Sequence, residues 1–489
     1  MSGHAQVSPL TYAVRGHVVA KYLGQVGLVL AALTLPPLAV SLHFGELAAA
    51  LRYLAIIALL AGIGTPLARL RAPEPLRPNE GLTITALAFL LAPLLMTWPM
   101  MAAGLSPFDA FFEALSGVTT TGLTTLTRVG GDPAGFLFAR AWLQWYGGLG
   151  IVVLSVALLS GHQAASRRLI DPESGAESLV TTTRLHARRA LAVYLVLTLF
   201  GVLLLRLLGV PLFAATLHVL AGVSTGGFSP FDDSLRGLIP PARYALTLLT
   251  IAGAISLPLY YRLYSQGPKA LARDVELPAL LAGVVIISAL VALLLHREGF
   301  AWSQAAGNGF LLGAAAHTTS GFSAIPAIPA EQLGPAVKLL LIYAMLVGGS
   351  IGSTAGGAKI LRSLVVMRLM GLAVRRTATP AHVVIKPHLG GRPLESDDIE
   401  RSMLVIFLFA GVVILSWLPF VISGYPALDA LFEVVSATCT VGLSTGIAQH
   451  HLPLLLKGVL CFDMLAGRVE IIALLVVLYP GTWIGKRTE

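Results

Sequence analysis

The sequence predicts an all-α polytopic membrane protein in which an N-terminal two-helix hairpin precedes four helix–pore loop–helix repeats in a pseudo-fourfold arrangement. Three observations predict it: an excess of apolar length, basic residues gathered in every second connection, and a Gly/Thr/Ser knot that recurs four times. Of 489 residues 56% are hydrophobic and 12% charged, and the mean hydropathy is +0.81, more apolar surface than a soluble core hides. Gly27 to Val40, Leu54 to Ile63, Ile151 to Leu159, Ala279 to Leu295 and Met403 to Trp417 are nearly free of charge. With their flanks most reach about 20 residues, enough to cross roughly 30 Å of hydrocarbon.

The elements follow in order. Spans at about 18–42 and 46–68 form the hairpin, unit 1–72, which ends at the Pro-rich basic link Ala72 to Pro78. No small-residue cleavage site precedes a polar mature start, so the first apolar run reads as a retained helix rather than a leader. Repeats then run over 73–165, 166–268, 269–376 and 377–489. Each holds a long apolar span, a short apolar segment unable to cross, a knot, and a second long span. The short segments are Phe108 to Val118, Phe213 to Val223, Ala305 to His317 and Ala427 to Thr438. The knots begin at Thr120, Thr225, Thr319 and Thr440, and all four fit T-x-G-[LF]-[ST]. Their glycines, Gly122, Gly227, Gly321 and Gly442, lie 105, 94 and 121 residues apart, room for two helices and their loops.

A net charge of +9 raises the question of nucleic acid, and the placement of the cations answers it. Arg69, Arg71 and Arg77 share one link; Arg167, Arg168, Arg184, Arg188 and Arg189 a second; Arg262, Lys269 and Arg273 a third. A fourth runs from Lys359 through Arg375, Arg376 and Lys386 to Arg401, and Lys486 and Arg487 close the chain. The intervening connections carry Asp132, Asp232, Asp233, Glu298 and Glu331. The positive-inside rule then places the basic links and both termini in the cytoplasm. Cys439 and Cys461 are the only cysteines and have no zinc or redox motif around them.

Non-helical backbone at membrane depth survives only inside protein or against a water-filled cavity. Four such loops need a shared interior, and a ring of them lets backbone carbonyls replace the hydration shell of a cation. Glycine suits the central position because it accepts positive φ and has no Cβ. The preceding short helix points its negative dipole end at the ion. Threonine and serine hydroxyls can hold the loop or add ligands. The alternative for a single copy is a small-residue helix contact; four copies in register oppose it.

These loops resemble the Trk-type potassium uptake family, the TrkH and KtrB membrane subunits and their relatives. The resemblance covers nearly the whole chain and includes Gln144-Trp-Tyr-Gly-Gly-Leu-Gly150, Gly348-Gly-Ser-Ile-Gly-Ser-Thr-Ala-Gly-Gly-Ala-Lys359 and Gly467-Arg-Val-Glu470. The N-terminal hairpin is closer to the TrkH branch. The resemblance implies a selectivity filter formed by Thr120, Thr121 and Gly122; Thr225, Gly226 and Gly227; Thr319, Ser320 and Gly321; and Thr440, Val441 and Gly442. A glycine in every loop accompanies preference for potassium over sodium. Only Thr440 to Gly442 matches the Thr-Val-Gly of potassium channels in full, so a less complete set of ion sites is expected. The resemblance also implies a multi-pass protein of the bacterial plasma (inner) membrane and a homodimer. It further implies a cytosolic nucleotide-binding partner of the TrkA or KtrA type. The chain itself is expected to bind no cofactor, with K+ as the transported ion.

Gly348, Gly352 and Gly356 fall every fourth residue, which on spacing alone fits a GxxxG packing face as well as a loop. The resemblance favours an intramembrane gate below the filter, made of Gly348, Gly349, Ser350, Gly352, Ser353, Thr354, Gly356, Gly357 and Lys359 with Arg468. So many Gly and Ser residues also make a continuing helix costly. Arg468 lies inside the last apolar span and needs an aqueous cavity or a carboxylate, with Asp463 and Glu470 nearest in sequence. Its role is either an electrostatic element beside the ion path or a buried ion pair. Glu113 and Glu433 stand nine residues before the glycine of the first and fourth knots, where the others have His218 and Leu312. They read as buried carboxylates accepting backbone or Arg hydrogen bonds rather than as ion ligands.

No enzyme is expected. Gly442-Leu-Ser-Thr-Gly446 fits G-x-S-x-G but overlaps the fourth knot and lacks a strand-turn-helix setting. Gly352 to Lys359 misses the P-loop spacing, and His450 with His451 lacks a metal-site cluster. A secondary transporter for another cation or small solute is the competing class, though such folds use two inverted halves whereas the four copies share one orientation.

Overall fold

The computed structural model describes residues 13–72, 76–162, 179–323, 333–380 and 387–484. Arg167, Arg168, Glu331, Lys386, Lys486, Arg487 and the polar first ten residues lie outside them. The chain is mostly helical. The hairpin comprises α1 (Gly16–Leu33), continued after Thr34 by α2 (Leu35–His43), and α3 (Leu47–Ala68). There follow α4 (Pro78–Met100), the short α5 (Pro107–Val118) and α6 (Ala134–His162). Next come α7 (Leu179–Leu207), the short α8 (Leu212–Val223), α9 (Pro240–Ala254), α10 (Leu257–Gln266) and α11 (Lys269–Ala272). Then come α12 (Glu276–Arg297), the short α13 (Trp302–His317), α14 (Pro335–Val347) and α15 (Ile360–Thr377). Last are α16 (Ser396–Ile422), the short α17 (Ala427–Thr438), α18 (Leu454–Arg468) and α19 (Ile472–Leu478). The only strands among the described residues are β1 (His388–Leu389) and β2 (Arg392–Pro393), an antiparallel pair that departs from the all-α expectation.

Each short helix is entered the same way. The long helix before it ends at a left-handed glycine, Gly104, Gly209, Gly299 or Gly424, whose N–H closes back on a carbonyl three residues earlier. This is the helix stop that a residue without Cβ provides. Pro107, Pro211 and Pro426 then open three of the four short helices, where the missing N–H costs nothing.

Burial separates two layers. The short helices are enclosed, with Phe112, Leu217, Ala314 and Val434 fully buried. The long helices turn leucines and phenylalanines outward, among them Leu199, Val285, Phe407 and Leu415. An apolar exterior around a buried core of short helices is the pattern of a lipid-facing bundle. Among the described residues six helical spans are long and apolar enough to cross a membrane, or up to seven if one bent pair counts as one.

The second long span expected in each repeat is unbroken only in α6. The others break. α9 and α10 meet at 83°, α14 and α15 are separated by residues 348–359, and α18 stops at Arg468 before Glu470 and Ile471, both at positive φ. A β-branched residue at φ 53° is a strained backbone held by its surroundings.

Candidate functional site

The four knots come together. A Cβ built on Gly122 would overlap the Gly226 carbonyl oxygen; one on Gly227 would overlap that of Ser320; one on Gly321, Val441; and one on Gly442, Thr121. Each glycine therefore abuts the middle residue of the next loop, and the fourth closes onto the first. The backbone repeats as well. Thr120, Thr225, Thr319 and Thr440 have φ of 50–54°, and the glycines two residues on have φ of 65–92°. Left-handed threonines are uncommon, so four at one sequence position mark a conformation imposed by the site.

This backbone leaves acceptors unused. Among the described residues, no donor reaches the carbonyls of the left-handed Thr or Gly in any of the four loops. Carbonyls away from water are ordinarily paired. The middle carbonyls run around the ring toward the neighbouring glycines, and that of Gly226 accepts Gln144 Nε2 at 2.5 Å. Gln144 Oε1 accepts from Phe228 N at 3.1 Å, so this one side chain of α6 brackets the second loop.

The ascending limbs are tied from the short helices. Glu113 accepts from the Thr124 hydroxyl and from Thr125 N (3.1 Å), and pairs with Arg140 Nε at 2.9 Å. The Arg140 guanidinium lies 3.9 Å over the Phe228 ring of the second loop. Glu433 accepts from Ser444 Oγ (2.7 Å), Thr445 N (2.9 Å) and Ala448 N (3.1 Å). His218 holds Ser229 Oγ at 3.2 Å. Both glutamates are thus buried acceptors of backbone and hydroxyl hydrogen bonds, and Glu113 alone also pairs with an arginine. Above the ring is a cavity of about 240 Å³ lined by all four glycines and by Thr124, Ser229, Ser323 and Ser444. At its rim the N–H groups of Val129 and Gly130 hold the Asp232 carboxyl below the usual carboxylate range.

Residues 348–359 form a buried loop on the other side. Gly348, Gly352, Gly357 and Lys359 have positive φ, which excludes a continuous GxxxG helix. Thr354 Oγ1 donates to Val223 O at 3.1 Å and Gly253 O at 3.0 Å. Gly356 N donates to Thr319 Oγ1 at 2.6 Å, and Gly357 N to Cys439 O at 3.2 Å. The loop thus touches the roots of the second, third and fourth knots. The break between α9 and α10 supplies further partners: Ser350 N donates to Ala254 O (3.1 Å), and Leu257 N to Gly352 O (3.0 Å). Ser353 Oγ bonds Ser350 O at 2.6 Å, Gly349 packs on Ala254, and Lys359 Nζ donates to Ala355 O.

Arg468 meets neither expected carboxylate. Its guanidinium donates to Thr354 O at 2.8 Å and Gly147 O at 3.3 Å, linking the 348–359 loop to α6. Glu470 pairs instead with Arg362 at 2.9 Å, and Asp463 accepts from Ser416 Oγ at 2.6 Å. A span broken just after Arg468 puts the guanidinium against one carbonyl of the 348–359 break and one of the unbroken α6. The role of Gln144 was not foreseen beyond its motif, and the Asp109–Lys457 (2.6 Å) and Asp429–Lys338 (2.5 Å) pairs carried no local signal at all. Ser444 of the G-x-S-x-G pattern is bonded to a glutamate, and His450 lies 3.1 Å from Asp109.

A family model described as TrkH, cation transport protein, matches residues 51–480. The Trk system potassium uptake protein TrkH of Halomonas elongata is 31% identical over 95% of this chain and 99% of its own. An uncharacterized cation transporter of Methanocaldococcus jannaschii is 28% identical over 93% and 94%. The crystal structure of the potassium transporter TrkH from Vibrio parahaemolyticus superposes with a TM-score of 0.85 at 25% identity, covering 96% of this chain and 100% of that one. The chain belongs to the TrkH family of membrane cation transport proteins.

Proposed function

We propose that this chain is the pore-forming subunit of a potassium uptake system, conducting K+ through a filter built from Thr120–Gly122, Thr225–Gly227, Thr319–Gly321 and Thr440–Gly442. The observation that carries the reading is the closed ring of glycine-to-carbonyl contacts around loops whose Thr and Gly carbonyls accept no hydrogen bond. Oxygens kept free at membrane depth have a permeating cation as their natural partner. Relatives named as potassium uptake proteins supply the ion. The four loops belong to pseudo-fourfold repeats at 73–165, 166–268, 269–376 and 377–489, after the 1–72 hairpin.

The loop 348–357, with Lys359 and Arg468, is the gate in this reading. It is buried against three filter loops and is the longest stretch of non-helical backbone inside a broken span. The basic connections then face the cytoplasm with both termini, in a bacterial plasma membrane. A homodimer controlled by a cytosolic nucleotide-binding subunit of the TrkA or KtrA type completes the proposal, on the strength of the family and its Trk-system relatives.

Rubidium uptake into proteoliposomes, competed by K+ or Na+, tests the function. K+ is expected to compete and Na+ to do so poorly. In Gly442→Ser the added Cβ meets the Thr121 carbonyl, and discrimination against Na+ is expected to fall about tenfold, equivalent to about 1.4 kcal/mol. Unchanged relative permeability in that variant, or uptake of an organic solute in place of rubidium, rejects the filter.

A further inference from the structure

One contact to the 348–359 loop comes from a residue that its own helix does not need as a cap. Glu276 is the first residue of α12 and is 7% exposed. Among the described residues it makes no ion pair. A carboxylate at this position ordinarily caps its own helix. Here Asp274 does so: its Oδ1 accepts from Glu276 N at 3.0 Å and Leu277 N at 2.9 Å, while its Oδ2 pairs with Arg262 of α10 at 3.0 Å. The Glu276 carboxylate is left to reach across the fold, where Oε1 accepts from Ile351 N at 2.9 Å and the group also meets the Leu361 backbone N–H in the first turn of α15. Burying a carboxylate with no ion pair and only the more distant charge of Lys359 to offset it is expensive, and a position that only packed would be apolar.

Ile351 sits between two other attachments. Ser350 N bonds the last carbonyl of α9, and Gly352 O accepts from the first turn of α10. Three consecutive residues are therefore gripped by three elements, and Glu276 supplies the only charged partner among those grips. We propose that Glu276 is the latch of the intramembrane loop, a positioning residue whose carboxylate, through the Ile351 N–H, keeps residues 350–352 seated against the α9–α10 break. The proposal rests on the reading of 348–357 as the gate. The latch is tied to the basic arm: Asp274 caps the helix that carries Glu276 and is bound to Arg262, so movement of α10 reaches the loop at both the Glu276 and the Gly352 attachments.

The test uses the full-length chain in proteoliposomes without a partner and compares Glu276→Ala, Glu276→Gln and a chain shortened within 348–357. Two quantities are read: rubidium flux with its K+/Na+ permeability ratio, and the rate at which a water-soluble thiol reagent labels Ser353→Cys in each background. Glu276→Ala is expected to raise flux and labelling about tenfold, the loss of one charge-assisted hydrogen bond holding the seated state. The permeability ratio stays unchanged because the filter is untouched. Glu276→Gln, which keeps a carbonyl acceptor, returns most of the parental behaviour. If the shortened chain leaks while Glu276→Ala conducts and labels like the parent, the latch is wrong and the gate stands. If the shortened chain does not leak either, the gate reading itself fails. Should Glu276→Ala not fold, Glu276→Met offers similar volume without an acceptor, and parental labelling in that variant overturns the proposal.

Discussion

The first and fourth knots are held differently from the second and third. Behind the first and fourth stand buried glutamates, Glu113 and Glu433, and near the start of each short helix an aspartate is clamped by a lysine of another long helix, Asp109 by Lys457 and Asp429 by Lys338. Their threonine hydroxyls, Thr120 and Thr440 Oγ1, are buried and have no hydrogen-bond partner among the described residues. The second and third loops have His218 and Leu312 at the glutamate position, and their threonines are engaged by the 348–359 loop, Thr225 with Thr354 (3.3 Å) and Thr319 with Gly356 N (2.6 Å). One half of the ring is braced by fixed charge from behind. The other lacks that charge, and its threonines are bonded from below by the element proposed to move, which meets the fourth knot only at the Cys439 carbonyl. A ring of near-identical backbones can thus have a side tied by fixed charge and a side whose threonines depend on the 348–359 loop.

The largest effect tests the side tied by charge. Glu113→Ala leaves Arg140, 2% exposed, without its counter-charge and leaves Thr125 N without its acceptor. A loss of about 3–5 kcal/mol is expected, the usual cost of orphaning one member of a buried pair. Thermal unfolding in detergent measures it, with Leu312→Ala as the comparison at the uncharged equivalent. That substitution is expected to cost about 2–4 kcal/mol through its cavity. A Glu113→Ala loss below that of Leu312→Ala would remove the distinction between the two halves.

The clamps come next. Asp109 is 3% exposed at its side chain and Asp429 25%. Lys457→Met leaves a nearly water-free carboxylate to Ser106, Thr125 and His450 without its lysine, whereas Lys338→Met uncovers one that water partly reaches. The first is expected to cost about 3 kcal/mol, and the second nearer the roughly 1 kcal/mol of a solvent-accessible pair. Equal losses would show that exposure does not set the strength of these ties.

Much of this asymmetry was partly legible in the sequence. The short helices end at Val118, Val223, His317 and Thr438, where the hydropathy pattern ends them. A short apolar run stopped by a Thr/Gly knot is a local signal, and the missing glutamates of the second and third copies are visible by alignment within the chain. The breaks in the second spans were less accessible. Ser256-Leu-Pro258 marks the α9–α10 bend, since a proline interrupts a helix already running but is tolerated in the first turn of a new one. The break at Glu470 and Ile471 has no proline to announce it. There, contacts from Arg468 to Thr354 O and Gly147 O accompany a backbone that the local sequence alone would continue as helix. The partners of Gln144 and of the aspartate clamps lie tens to hundreds of residues away, and hydropathy carries no information about them.

Thr225→Val tests the side supported from below. It removes the bonds from Thr225 Oγ1 to Thr354 Oγ1 and to Ser224 O (2.7 Å), and Thr354 keeps its bonds to Val223 O and Gly253 O. A cost of about 1 kcal/mol is expected, together with increased leak as the loop loses a contact. Leak unchanged at that cost would separate the loop's seating from the threonines.

The smallest effect on stability is the most informative about the ion. Thr120→Val and Thr440→Val remove hydroxyls that bond no atom of the described residues, so unfolding should shift by less than about 0.5 kcal/mol. If those oxygens face the ion, the same substitutions weaken the potassium concentration dependence of rubidium uptake, while Thr225→Val, whose hydroxyl is already spent on the protein, changes it less. A buried hydroxyl with neither a protein partner nor an ion would be a cost without a purpose. Loss of stability without loss of potassium affinity in Thr120→Val would place that hydroxyl in the scaffold and leave the backbone carbonyls alone to hold the ion.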